Sequence, residues 1–237
     1  MPKAIIIGAT SGIGRACALE LADRGYVVAA TGRRTEKLEQ LKDEIGINCH
    51  IRRMDVTDTE DARKGFLELA EKMGGCDTVI INSGIGYADN RPKWANEKST
   101  IDVNVTGFVA LASRALDYFT EHGGGHIVGI SSIAGLRGGP SCAYNASKAF
   151  VSNYMDGLRF TADKNNIAVT DVRPGFVETP LIEGRDRLFW VASSQKAAKQ
   201  IADAMQNKKK RVYITRRWTI IAALIKILPD WAYFRIR

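Results

Sequence analysis

The 237-residue chain is poor in the residues that build metal centres and disulfide frameworks. Its four cysteines, Cys17, Cys49, Cys76 and Cys142, form no C-x-x-C pair, and the histidines are His50, His122 and His126. A zinc site or disulfide scaffold is therefore not expected, and no metal is assigned. His122 and His126 flank a glycine turn and are expected at its surface. No internal repeat or long linker interrupts the chain. The first strand candidate starts at the third residue, behind "MP". That leaves no room for a signal peptide, so a cytoplasmic location is expected. The apolar run Trp218 to Leu228 is 11 residues and contains Lys226. A bilayer-spanning helix needs roughly 20 residues.

Charge is also missing from most of the chain. Of the formal net charge of +8, all is carried after residue 207, where nine Lys or Arg face one Asp; the preceding 207 residues are neutral. A duplex-binding face needs basic side chains spread over the folded body, so no nucleic-acid partner is expected.

What the chain does have is size, a 45% hydrophobic content and an alternating pattern. The runs "KAIIIG", "YVVAATG", "NCHIRRMDV", "CDTVIINSG", "HIVGISS", "IAVTDVRPG" and "RVYIT" read as strands. Between them lie helical patterns such as "TEKLEQLKDEI", "DTEDARKGFLELAEKM" and one long segment around "STIDVNVTGFVALASRALDYF". Strands alternating with helices imply βαβ units. The expected fold is a single α/β domain, a Rossmann-like, doubly wound parallel sheet with helices on both faces. Residues 1–207 form its dinucleotide-binding, catalytic body, and 208–237 its last strand and a basic, apolar tail.

Two local patterns carry chemistry. "GATSGIG" separates the first strand from the first helix. Gly8, Gly12 and Gly14 there allow a tight turn, close approach to a pyrophosphate, and helix packing on the sheet. In "SCAYNASKAF", Tyr144 and Lys148 are four residues apart, one above the other on a helix. An ammonium beside a phenol favours the phenolate, which suits Tyr144 to proton transfer near neutrality. The spacing alone also fits a solvated helix face.

With "DV" at Asp55 and Val56, "NSG" at Asn82 to Gly84, "NVTG" at Asn104 to Gly107, "SSIAG" at Ser131 to Gly135 and "RPGFVET" at Arg173 to Thr179, these motifs make residues 3 to 180 resemble the short-chain dehydrogenase/reductase family. "INSG" stands where the family commonly has "NNAG", with Ile81 and Ser83 as the departures. The resemblance implies Tyr144 as general acid and base. It makes Lys148 the residue that lowers the tyrosine pKa and binds ribose, Ser132 the carbonyl-orienting serine, and Asn104 a member of a water and lysine relay. Ser131 and Ser132 are adjacent, so on a strand only one points into the site.

For the cofactor, the resemblance implies contacts from Gly8, Ser11, Gly12, Ile13, Gly14, Asp55, Val56, Asn82, Gly84, Tyr144, Lys148, Pro174, Gly175, Val177 and Thr179. An NAD-preferring fold keeps an acid near the end of its second strand. Here that slot is Gly32, and Arg33 and Arg34 follow, two guanidinium donors suited to a 2′-phosphate. The cofactor expected is NADP(H), with Arg33 the direct contact and Arg34 either a second contact or a surface charge.

The expected activity is carbonyl–alcohol interconversion by hydride transfer. A lid near 180–195, with Leu181, Ile182, Leu188, Phe189 and Trp190, either walls a pocket for a lipophilic substrate or packs on the body. A small polar ketone or sugar is the alternative substrate, and a non-catalytic dinucleotide-sensing or scaffold protein the alternative function. Cys142 either lines the cavity or fills space. Small residues at Gly107, Ala110, Ala112, Ala115, Ala146 and Ala149 lie where the resemblance implies a homodimer or homotetramer interface. In the tail, Arg216, Arg217, Trp231, Tyr233, Arg235 and Arg237 suit docking on an anionic membrane surface, at the inner face of a membrane. The rival is that Trp218, Ile221, Leu224, Ile225 and Leu228 cover the cleft or a neighbouring subunit.

Overall fold

The computed structural model describes residues 1–87, 91–184 and 188–235; Arg237 and positions 185–187 of the expected lid lie outside them. Seven parallel strands form one sheet in the order β3-β2-β1-β4-β5-β6-β7. They are β1 (Lys3–Ile7), β2 (Val27–Gly32), β3 (Cys49–Arg53), β4 (Thr78–Ile81), β5 (Gly125–Ile130), β6 (Ile167–Pro174) and β7 (Arg211–Ile214). Helices α1 (Gly12–Asp23), α2 (Thr35–Ile45), α3 (Thr59–Lys72), α4 (Trp94–Ile101), α5 (Gly107–Glu121), α6 (Cys142–Ala162) and α7 (Ser194–Gln206) connect them.

The pleat of β1 explains the double layer. Ile5 and Ile7 pack in one core with Phe66 of α3, Leu111 of α5 and Met155 of α6. Ala4 and Ile6 point the other way, into a second core with Leu21 of α1, Leu38 of α2 and Ile201 of α7. Because alternate residues of a strand face opposite sides, a run apolar at every position demands cover on both. β7 completes this sheet by pairing with β6.

Two expectations change. The long helical segment is broken: a π-helical stretch, Asp102–Thr106, separates α4 from α5. The wider turn sets Asn104 inward at 1% exposure. His126 belongs to β5 and is buried, with Nε2 2.8 Å from Thr170 Oγ1. Burial, helped by Lys208, pushes its pKa down to about 4. His122 does lie at the surface, its ring stacked on Tyr118.

Of the small residues expected at a subunit interface, Ala112 and Ala115 are spent inside this chain's own core. A Cβ on Gly107 would come within 2.6 Å of the Val56 carbonyl oxygen. Ala146 is exposed, and Ala110 and Ala149 are half-buried. Beyond β7, the tail forms α8 (Trp218–Ile227) and the short α9 (Asp230–Tyr233). Among the described residues no helix is long and apolar enough to cross a membrane.

Candidate active site

Strand order reverses between β1 and β4, which opens a crevice beyond their carboxyl ends. Gly8 and Gly12 turn the chain there with φ of 88° and 56°, values that a side chain disfavours. A Cβ on Gly14 would stand 2.1 Å from the Gly8 carbonyl oxygen. Gly14 therefore lets α1 seat under the loop and is not itself on the crevice wall. Asn82 Nδ2 donates to the Gly8 oxygen at 2.7 Å, so its side chain braces the loop. Gly8, Ser11, Gly12 and Ile13 line the cleft at the amino end of α1, where backbone N–H groups favour an anion.

Gly32 admits no side chain without contact: a Cβ would sit 2.6 Å from Thr10 Cγ2. Arg33 and Arg34 follow on the cleft wall, both exposed. Arg34 folds over the loop, donating to Thr10 Oγ1 and Ser11 Oγ, each at 2.8 Å. Asp55 and Val56 complete this corner, with Asp55 Oδ1 accepting from Thr57 N at 3.1 Å and Thr57 Oγ1 at 2.8 Å. Partial burial raises the Asp55 pKa, but the Thr57 hydrogen bonds, Arg33 and Arg53 together hold it below the usual carboxylate value. A crevice with Gly8 and Gly12 on its wall and guanidinium donors at one end fits a dinucleotide carrying an extra phosphate.

Farther along the cleft, beyond the end of β5, stand Ser132, Tyr144 and Lys148. β5 delivers the two serines to opposite sides. Ser131 Oγ donates to the buried Asp171 carboxylate, while Ser132 lines the cleft and accepts from Ala134 N at 3.1 Å. Lys148 is buried, donates to the Ile130 carbonyl at 2.9 Å, and has its Nζ 5.8 Å from the Tyr144 ring centroid. Burial pushes the Lys148 pKa down to about 8, against the opposing pull of Asp171. Asn104 stands behind the wall. Its Oδ1 accepts from Ile85 N and its Nδ2 donates to Ile85 O, both at 2.8 Å, and Nδ2 also donates to Ser147 Oγ at 2.9 Å. The side chain thus pins the strand-end loop to α6. Gly84, Pro174, Gly175, Val177 and Thr179 also line the cleft.

The outer part of the cleft has apolar walls. Leu181 and Ile182 contribute as expected. Phe189 and Trp190 instead pack with Phe176 and Trp218 in an aromatic cluster, where Trp218 is buried against Gly175. Cys142 is exposed and lies off the wall. Ile225 and Tyr233 of the tail close the cleft, together with Arg137. Arg137 donates to the Leu228 carbonyl, pairs with Asp230, and lies 4.2 Å from the Tyr233 ring centroid. Tyr233 OH donates to Gly138 O at 2.7 Å. Sequence reading missed Arg137 and Tyr233 as wall residues because their contacts join segments about ninety residues apart, which no local pattern encodes.

The chain is similar to several known proteins. The family model described as short chain dehydrogenase matches residues 2–188. An uncharacterized oxidoreductase of Mycobacterium tuberculosis is 33% identical over 238 residues, covering 96% of this chain and 94% of the relative. An NADP-dependent 3-hydroxy acid dehydrogenase of Escherichia coli is 32% identical over 179 residues, 73% of this chain and 71% of that one. Among solved structures, the closed form of a serine dehydrogenase complexed with NADP+ superposes with a TM-score of 0.80 at 26% identity, covering 89% of this chain and 92% of that one.

Proposed function

The chain belongs to the short-chain dehydrogenase family of oxidoreductases, and on that footing we propose that it interconverts a carbonyl and a secondary alcohol with NADP(H). The observation that carries this reading is one cleft with Arg33 and Arg34 at one end and Ser132, Tyr144 and Lys148 farther along it. When bound, the nicotinamide supplies or accepts the hydride. Tyr144 delivers its phenolic proton to the carbonyl oxygen in reduction and takes it back in oxidation. Lys148, when protonated, favours the phenolate left behind, and the Ser132 hydroxyl donates to the oxygen on which charge develops. Asn104 acts as a positioning residue, since its hydrogen bonds hold Ile85 and Ser147.

The apolar outer walls, with Ile182, Phe176 and Ile225, support a lipophilic carbonyl compound as substrate. The names of two similar proteins support a second reading, a small hydroxy acid as substrate. A homo-oligomer remains our proposal for its assembly, with the exposed Phe150 and Phe160 of α6 as its apolar contacts.

NADPH and NADH titrations of the unmutated protein and of Arg33→Ala test the cofactor. NADPH should bind at least about tenfold more tightly than NADH, and Arg33→Ala should weaken NADPH by about 10- to 100-fold with little change for NADH, the size of one charged hydrogen-bond partner. Comparable affinities in the unmutated protein would reject NADP(H). Absorbance loss of NADPH across long-chain ketones and 3-oxo acids then separates the two substrate readings.

A further inference from the structure

Helix α8 is apolar on nearly every side, and the protein covers only part of it. Trp218 and Ala222 are buried and Ile225 lines the cleft. Ile220, Leu224 and Ile227 are 64%, 51% and 78% exposed. At helical spacing these three form a stripe on the side away from Trp218 and Ala222. Past the turn at Pro229, Trp231 and Phe234 add two more large exposed surfaces, at 68% and 69%. A helix without a polar face is ordinarily enclosed, so the outer stripe calls for a cover.

Charge selects what covers it. Arg216 and Arg217 precede α8, Lys226 lies on its flank, and Arg235 follows α9, all exposed. The acid in this segment, Asp230, is paired with Arg137. A second copy meeting the stripe face to face would bring like charges together, and a nucleic acid would leave the isoleucines and leucine in water. An anionic bilayer accepts both kinds of group. Aliphatic side chains reach the acyl boundary, aromatic rings settle among headgroups, and cations meet lipid phosphates.

From this pairing of an open apolar stripe with a cationic rim, we infer that α8 and α9 dock the protein on an anionic lipid surface, with Ile220, Leu224, Ile227 and Trp231 facing the lipid. The docking does not depend on the oxidoreductase reading. It does place the cleft beside the bilayer, because Ile225 and Tyr233 line the cleft from the inner side of the same helices.

Co-sedimentation of the full chain with vesicles of equal parts phosphatidylglycerol and phosphatidylcholine tests it, with pure phosphatidylcholine vesicles beside them. Binding should be about tenfold stronger or more on the anionic vesicles and should weaken as salt rises. Ile227→Ser combined with Trp231→Ser should reduce that binding by about tenfold or more, with the thermal midpoint and NADPH affinity unchanged. Should that pair lower the thermal midpoint, Lys226→Gln with Arg216→Gln provides the second reading, since it leaves the packing alone and should cut anionic binding several-fold. Failure of the unmutated chain to sediment with anionic vesicles overturns the inference. So does binding that none of these replacements reduces. Light scattering that shows a dimer dissociated by Ile227→Ser, without vesicle binding, assigns the stripe to a second copy and overturns it equally.

Discussion

The two ends of the cleft are assembled by different means. Around Gly8 and Gly12 the wall is largely loop backbone, bonded to Thr31 at the end of β2 and braced by the side chains of Asn82 and Arg34. Around Arg137 the wall is side chain, contributed by the segment after β5, the lid and the tail, and joined by contacts between segments up to 95 residues apart. The difference teaches where tolerance should lie. A backbone cradle fails when any side chain is added, whereas a side-chain wall can be altered one contact at a time while the fold survives. Between them stand Tyr144 and Lys148, on the long helix α6.

The sharpest way to break the comparison is to remove chemistry while leaving both ends intact. Tyr144→Phe deletes one hydroxyl and keeps the ring that packs near Gly86. Turnover should fall on the order of 10²-fold or more, with NADPH affinity unchanged by titration. A near-normal rate would mean that the proton comes from elsewhere.

Lys148 allows the rigid centre to be read through pH. Its pKa moves down on folding, from 10.5 to about 8, because burial disfavours the ammonium. Between those values the unfolded chain binds more protons than the folded one, so stability rises with pH across that window. Below about 8 the full penalty is present, about 3 kcal/mol at 1.36 kcal/mol per pH unit. Urea denaturation of the unmutated protein and Lys148→Met at about pH 7 and about pH 10 should show that most of the pH-dependent gain disappears in the variant. Equal pH dependence in the two proteins would place the ammonium in water.

The same contrast explains what the sequence disclosed. β1 and its glycine loop are legible because uniform apolar runs, a turn and a helix start follow one another within about a dozen residues. Tyr144 and Lys148 are legible because helical spacing places them together, and Ser132 because strand alternation separates it from Ser131. The π-helical stretch at Asn104 was not legible. Its apolar period continues almost undisturbed, and the partners of Asn104 in the widened turn, Ile85 and Ser147, come from other segments of the chain. His126 misled for a related reason. A histidine after three glycines reads as a turn residue, but it is the second residue of β5, where Thr170 across the strand pair satisfies its ring. Phe189 and Trp190 were expected in the lid, and their partner Trp218 lies in a tail whose composition says only that it is apolar and basic.

The smallest effect should come from the side-chain end, at the ion pair between Arg137 and Asp230. The Asp230 side chain is 80% exposed, so water and salt screen the attraction. Exposed pairs of this kind contribute about 0–1 kcal/mol. Asp230→Asn should therefore leave the fold and the thermal midpoint close to those of the unmutated protein. What it loosens is the tail's hold on the cleft, since Arg137 retains the Leu228 carbonyl and the Tyr233 ring but loses its charged partner. Steady-state kinetics should then show KM for the proposed carbonyl substrate raised by up to about fivefold and kcat nearly unchanged, with the difference between the two proteins shrinking at high salt. A fall in kcat larger than the change in KM would mean that the tail orders Tyr144 or Ser132, and the separation between a rigid chemical centre and an adjustable outer wall would be lost.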